Sequence, residues 1–473
     1  MNFKIPNPAP EFWRRLFSVC LLTMLGVGMS VQAQDYLPGQ VMNPISQHQA
    51  DEEPHYGHSV AMDGDWMAVG TPQHTQVHSG IEGGVVKVYR RQSETWDHFQ
   101  SIYFPAATDL HCGTSVALSG DFLLIGCPLH QGGRAYFLRR HPDSGLFEVV
   151  AWINGGGEAR CGQSVALVSQ GDASDDERWA AVGCPMSTSS GSANGGTVRT
   201  YRWSWDPETG SGSWGFVQVL SHGFATAFAS WRYGHSVSID RTATGVVRVS
   251  VGMPGYQNGR GRAFMHERSV DGEWDLLGAT IRALPETVQQ AGDEFGYSVA
   301  VRGDFWAVGA PGAAVSSSNL DLRPGRTDLY RTVLLGWSQA THYLYTPQNG
   351  ARSGHAIAMN AKEVWIGAPQ FVQSDGVSGL VARFERTFDG NAAPFVAPTY
   401  MFRQGLQPDI SSPFELSSGE FGSAIAVDTD NHRAVIGYPR RGFNPIVGDA
   451  QRPGQARIFE IVDRIFDDRF QSP

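Results

Sequence analysis

Phe295-Gly296-Tyr297-Ser298-Val299-Ala300, followed nine residues later by Gly309-Ala310-Pro311, is one copy of a two-part phrase that the chain writes seven times. An aromatic residue or Cys (Ser in the sixth copy), then Gly, a polar residue, a small residue and an aliphatic open each copy; Gly-x-Pro closes it. The openings are Tyr56-Gly57, Cys112-Gly113, Cys161-Gly162, Tyr233-Gly234, Phe295-Gly296, Ser353-Gly354 and Phe421-Gly422. The closings are Gly70-Thr71-Pro72, Gly126-Cys127-Pro128, Gly183-Cys184-Pro185, Gly252-Met253-Pro254, Gly309-Ala310-Pro311, Gly367-Ala368-Pro369 and Gly437-Tyr438-Pro439. A fixed period of this size decides the architecture before any single residue is considered.

Working outward, each repeat resolves into four short strand signals. In the first, Ser59 to Met62 reads as strand a, Asp63-Gly64-Asp65 as a tight turn and Trp66 to Val69 as strand b. Gly84 to Tyr89 reads as strand c and Trp96 to Phe104 as strand d. The Gly-Asp turn recurs at Ser119-Gly120-Asp121 and Arg302-Gly303-Asp304 between alternating apolar residues, which is a hairpin signal. Strands a and b are built from Ser, Ala, Gly and Val, whereas c and d carry Tyr89, Tyr136, Tyr201, Trp96, Trp214 and Trp274. Such a gradient suits wedge-shaped sheets around an axis, crowded at the centre and splayed at the rim. Gly in Gly-x-Pro allows close backbone approach, and Pro ends strand b where no ladder donor is needed. The predicted fold is an all-β, seven-bladed propeller of four-stranded antiparallel blades over 56–462. The last repeat stops after its third strand, so the segment Asp35 to Ile45, within 34–55, is expected to supply the fourth. No helical periodicity is evident after residue 33, and 463–473 form a tail.

The gross numbers agree with this reading. Among 473 residues, 41% are hydrophobic and only 17% charged, with 56 Gly, the composition of a turn-rich β protein. The net charge is −10, which argues against a nucleic-acid partner. Arg14 and Arg15 precede an apolar stretch from Leu16 to Val31, and Val31-Gln32-Ala33 has the small residues of a cleavage site. Residues 1–33 are therefore expected to be a signal peptide, whose removal leaves a net charge of about −12. Cys20 follows Val19, a poor fit to lipoprotein processing. A secreted or periplasmic monomer without a transmembrane anchor is expected.

Four cysteines remain after such cleavage, and their positions are informative. Cys112 and Cys161 stand at the opening of repeats 2 and 3; Cys127 and Cys184 stand inside Gly-x-Pro of the same repeats. Should opening and closing face one another, the bridges are Cys112–Cys127 and Cys161–Cys184, each worth about 3 kcal/mol in the chain-entropy picture. Pairing across repeats, such as Cys127–Cys161, is the alternative; a metal site is disfavoured because no close CxxC pair is present.

The phrase Phe295-Gly296-Tyr297-Ser298-Val299-Ala300 with Gly309-Ala310-Pro311 resembles the FG-GAP repeat of integrin α-subunit propellers and of many exported bacterial proteins. The resemblance implies a propeller fold and a binding role, of the cell-adhesion kind. It does not imply an integrin, because further domains and a transmembrane helix are missing from the sequence. Many members of that family bind calcium through several Asp between strands a and b. Here the nearest remnants are Asp428-Thr429-Asp430-Asn431 and Asp172 with Asp175 and Asp176, and neither has the full alternation. They read as solvated turns, so no cofactor is expected and calcium is a degenerate option only.

Other constellations are thin. Arg302-Gly303-Asp304 spells an adhesion tripeptide, but it occupies the same turn as Asp63-Gly64-Asp65, which accounts for the Gly-Asp pair. His58, His235 and His355 follow the opening Gly in repeats 1, 4 and 6, near one mouth of the central channel, spread around the ring. No nucleophile elbow, zinc-protease helix or phosphate loop occurs. The connections b to c and d to a emerge on one face and are the longest. Trp231, Tyr256, Arg323, Arg440, Arg441 and Phe443 are the candidate ligand-binding residues there. The expected function is a non-catalytic, exported binding or adhesion-type propeller contacting a protein or glycan at the cell surface. The alternative is a propeller-class enzyme, a glycan lyase or hydrolase, with its site at the channel mouth.

Overall fold

Val, Ala and Ile alternating with Ser favour a short pleated strand, and in each repeat it pairs with the next strand as a hairpin, joined by a two-residue turn in blades 1, 2 and 5. In the computed structural model, Ser298–Arg302 and Phe305–Ala310 are the inner hairpin of a sheet completed by Arg326–Val333 and Gly336–Leu344. The same order builds blade 1 (Ser59–Asp63, Trp66–Thr71, Val85–Gln92, Thr95–Tyr103) and blade 2 (Ser115–Ser119, Phe122–Cys127, Arg134–Arg140, Phe147–Asn154). Blade 3 is Ser164–Ser169, Arg178–Cys184, Thr197–Asp206 and Ser211–Leu220; blade 4 is Ser236–Arg241, Val247–Met253, Arg262–Arg268 and Trp274–Ile281. Blade 6 is Ala356–Met359, Glu363–Val372, Ser378–Thr387 and Thr399–Leu406. Blade 7 takes Ala424–Val427, Arg433–Tyr438 and Gln455–Ile461 from one end of the chain and Tyr36–Met42 from the other, with Tyr36 opposite Ile461 and Met42 opposite Ala456. All seven sheets are antiparallel, so the fold is a seven-bladed β-propeller. The innermost strands of all seven line a central channel of about 300 Å³.

The structure describes residues 36–42 and most of 55–461. Outside it, within that span, lie 74–82, 105–109, 158, 170–177, 189–193, 207, 209–210, 225–229, 243, 269–271, 273, 282–289, 315–320, 334–335, 345–347, 373–377, 388–398, 407–419, 429–432 and 440–453. Among the described residues no helix is long and apolar enough to cross a membrane. Among the described residues, the one helical turn, Tyr256–Gly259, contains left-handed Gln257 and Asn258 and is a chain of turns.

The cores lie between blades, not inside them. One cluster joins Trp66, Val86 and Ile102 of blade 1 to Leu123, Ile125 and Leu138 of blade 2; equivalent clusters fill the other six interfaces. The expected gradient in side-chain size is only partly realised. Three of the largest fully buried side chains, Trp179, Trp306 and Trp365, sit on strand b, beside its turn. They fill the wedge between neighbours: Trp179 meets Trp274 of blade 4 edge-on at 5.7 Å, and Trp66 meets Phe147 of blade 2 at 5.5 Å. Blades already diverge at their second strand, so a bulky ring there contributes about 1.5–3 kcal/mol of burial without crowding the axis.

The repeat also encodes the joint between blades. The opening Gly adopts positive φ in every blade, from 84 to 88°, a region that L side chains rarely enter. Its carbonyl points at the Gly of Gly-x-Pro in the preceding blade, where a Cβ would run into that oxygen in all seven cases. The small residue of the phrase then ties the two blades. Ser59 Oγ donates to Gly113 O of the next blade (2.7 Å), Ser115 to Gly162 (2.8 Å), Ser164 to Gly234 (2.8 Å), Ser236 to Gly296 (2.9 Å) and Ser298 to Gly354 (2.7 Å). Blades 6 and 7 have Ala356 and Ala424 at this position and lack the hydroxyl.

The opening side chain is fixed in a different way from blade to blade. Tyr56 shares a hydroxyl contact with Tyr89 at 2.6 Å, and Tyr233 OH meets His266 Nε2 at 2.5 Å. Cys112–Cys127 and Cys161–Cys184 are disulfide-bonded within blades 2 and 3, with Cα atoms 4.0 and 3.9 Å apart. At the rim, the pairing of third and outermost strands is interrupted by a register shift in every blade.

Candidate functional site

Blade 4 has a short b-to-c connection, Pro254 to Gly261, against Pro185 to Gly196 in blade 3 and Pro311 to Gly325 in blade 5. A short loop between longer neighbours leaves a hollow of about 1220 Å³ on that face. Gly255 to Arg260 form its floor, and its walls come from the d-to-a connections at Phe224, Ser230 to Arg232, and Ala291, Gly292 and Glu294. Backbone bonds hold the floor in place: Gly255 N–H donates to Trp231 O (3.1 Å), Gly292 N–H to Asn258 O (3.2 Å) and Glu294 N–H to Gly259 O (2.7 Å). Gly255 is obligatory, because a Cβ would meet Ser230 O.

Beneath the floor is an aromatic stack. Trp231 lies 4.8 Å from Tyr256, and Phe224 lies 5.8 Å from Tyr256 and 5.7 Å from Trp231. The buried Arg262 guanidinium sits 4.0 Å from the Tyr256 centroid and 5.0 Å from that of Phe224, a cation–π arrangement that fixes the rings. Trp231 and Tyr256 are only 7% and 8% exposed, so little of either ring is open to the hollow that they line. Gln257 and Asn258 above them are exposed.

The hollow borders the mouth of the central channel. The residue before each opening side chain is His55, His111, Arg160, Arg232, Glu294, Arg352 or Glu420, and all seven adopt left-handed backbone, φ 49–68°. The carbonyl of each accepts the N–H three residues on, as in His235 N–H to Arg232 O at 3.0 Å. That conformation costs on the order of 1 kcal/mol per non-Gly residue. It turns a mostly charged set of side chains toward the top of the inner strands. Arg352 is paired with Glu294 at 3.0 Å and lies over the Tyr297 ring at 5.4 Å. One layer further in, Tyr297 stands between His235 (4.9 Å) and His355 (4.8 Å), and its hydroxyl meets His355 Nε2 at 3.2 Å. Burial lowers His235 to about 3, aided by the charge of Arg232. Burial lowers His355 to about 4, aided by Arg352. Both imidazoles are neutral at pH 7. Among the described residues, no group of three His, Cys, Asp or Glu could hold a metal ion.

Of the residues singled out from the sequence, Trp231 and Tyr256 come together in this hollow. Arg323 lies beside it: the guanidinium is anchored by Asp293 (2.8 Å) and Gln290 (3.1 Å) and reaches Ala291 O (3.5 Å). Arg440, Arg441 and Phe443 lie outside the described residues, as do Asp172, Asp175, Asp176 and 429–431. The sequence reading missed Arg232, Arg260, Glu294 and Phe224. The signal for two of them was present: the position before each opening residue is His, His, Arg, Arg, Glu, Arg, Glu down the repeats. On the opposite face, the Arg302-Gly303-Asp304 turn is spent on blade contacts. Arg302 pairs with buried Asp240 at 3.0 Å, and Asp304 with Arg248 at 3.0 Å. Gly303 N–H donates to Asp240 at 2.6 Å.

Comparison with known proteins adds a repeat identity. Residues 288–319, which include the opening and closing of blade 5, match the FG-GAP repeat. No curated protein matches the chain. Among solved structures, it is similar to that of "Kluyvelomyces marxianus Hsv2", with a TM-score of 0.41, 9% identity, 82% of this chain covered and 90% of that one. With seven four-stranded blades, the repeat match fits an FG-GAP repeat β-propeller.

Proposed function

We propose that the protein is a non-catalytic binding propeller, acting outside the cytoplasm, that captures a glycan or protein through the hollow on its loop-rich face. The observation that carries this reading is the hollow itself: a concave site underlain by a rigid aromatic–Arg262 stack and rimmed by guanidinium and amide side chains. Concave sites with few convergent polar groups on a rigid scaffold are where ligands bind. Near the channel mouth, Glu294 is committed to Arg352, which leaves it poorly placed for acid–base work. Two disulfides are compatible with an oxidising compartment, and the apolar segment after Arg15 supports export.

The test is a screen of residues 34–473 against immobilised glycans and cell-surface proteins, repeated with Ala291→Trp. Ala291 is exposed and lines the hollow, so the indole fills the site without disturbing the core. Binding that is lost in this variant while the melting temperature is kept supports the hollow. Equal binding by both proteins dismisses it.

A further inference from the structure

We infer that the hollow takes a uronate, the carboxylate-bearing sugar of an acidic polysaccharide, with Arg232 and Arg260 clamping the carboxylate; this rests on the hollow being the binding site. The charge distribution points there first. The chain carries −10 overall, yet the hollow is lined by Arg232, Arg260 and Glu294, and Glu294 is neutralised by Arg352. Neither Arg232 nor Arg260 makes an ion pair with a described residue, and both are only half-exposed. Two partly desolvated guanidiniums with no ion-pair partner among the described residues favour an anion, and their planar donors match a carboxylate.

The rest of the lining selects the sugar. Gln257 and Asn258 project from left-handed positions as exposed amides, donors and acceptors suited to ring hydroxyls. Trp231 and Tyr256 offer a little ring surface under that polar rim, enough for C–H contact with a pyranose. They do not offer the open aromatic face around which protein interfaces build their energetic centres. A concave, amide- and guanidinium-rimmed hollow of about 1220 Å³ therefore suits a saccharide unit better than an acidic loop of a protein.

The experiment titrates residues 34–473 with an oligogalacturonate, its full methyl ester and polyglutamate, at low and high salt. Wild type is compared with Arg232→Gln, Arg260→Gln and Ala291→Trp. Arg260 has ordinary right-handed backbone, so its variant carries no conformational penalty should Arg232→Gln perturb the mouth. The acid is expected to bind at least about tenfold more tightly than the ester, and each Gln variant to lose about tenfold, with a shallower salt dependence. Two results overturn the uronate assignment: preference for polyglutamate, or Gln variants that bind the acid as wild type does. If Ala291→Trp abolishes binding of the acid while the Gln variants leave it intact, the hollow survives as a binding site and the anionic assignment falls. Equal oligogalacturonate binding by wild type and Ala291→Trp removes the hollow, and the assignment with it.

Discussion

Blades 2 and 3 and blades 6 and 7 spell the same repeat but are secured in different ways. In the first pair, a disulfide joins opening to closing, and Ser115 and Ser164 tie each blade to the next. In the second pair Ser353 and Phe421 stand where the cysteines would be, Ala356 and Ala424 replace the serines, and the ring is closed there by Tyr36–Met42. The close glycine approach is kept on both sides. Backbone proximity thus defines the propeller, while covalent and hydroxyl ties are additions that one side has and the other lacks. The side that holds the chain ends is the less secured.

Four measurements break or sharpen this contrast. The largest effect is expected from deleting residues 34–46, which leaves blade 7 with three strands: the melting temperature falls by about 10 °C or more. An unchanged melt would falsify closure by this strand. Next, converting both Cys112 and Cys127 to Ser, or both Cys161 and Cys184, costs about 3 kcal/mol per bridge by denaturant titration. If neither pair changes the midpoint, blades 2 and 3 owe nothing to their bridges.

Acid distinguishes the two sides in a third way. His355 of blade 6 and His235 of blade 4 occupy the position held by Thr114 and Gln163 in blades 2 and 3. Their folded pKa values, about 4 and 3, lie below the ordinary 6.5 because burial disfavours the charged imidazole. An unfolded chain takes up these protons first as pH falls. The neutral form's contribution is therefore complete above pH 6.5 and is lost between 6.5 and 4. Melting curves across this range should drop in wild type and flatten in the double His235→Gln, His355→Gln variant; parallel profiles would count against it. The smallest effect is a gain. Ala356→Ser and Ala424→Ser, aimed at Gly422 O and Gly57 O, should each stabilise by about 1 kcal/mol, and Ser164→Ala should cost as much. A loss in the first two would show that the joints at blades 6 and 7 are built differently.

Much of the ring was legible because a period is robust to local error. Seven Gly-x-Pro closings fix the number of blades even where a repeat is degenerate, as at Ser353. The cysteine pairing was legible because both partners fell at fixed points of the phrase. What could not be read was anything that depends on the neighbouring blade. Ser298 looked like a small inner residue, yet its role is a bond to Gly354 of the next sheet. Trp306 and Trp365 on strand b defied the size gradient because the wedge opens one strand earlier than composition suggests. The hollow was half legible: Trp231 and Tyr256 were chosen as loop aromatics, but they line it as members of a buried stack. Arg232 and Arg260 went unnoticed, since a depression made by one loop being shorter than its neighbours appears in no single segment.

The shifted register at the rim has a consequence for behaviour at high concentration. A closed ring still leaves seven outermost strands with an unpaired edge, and an apolar one such as Phe147–Asn154 of blade 2, with exposed Val149, Val150 and Trp152, would invite sheet growth from molecule to molecule. Because each of those strands is kinked against its partner, no long straight ladder is on offer to a second copy. Propellers with such edges can be concentrated without polymerising.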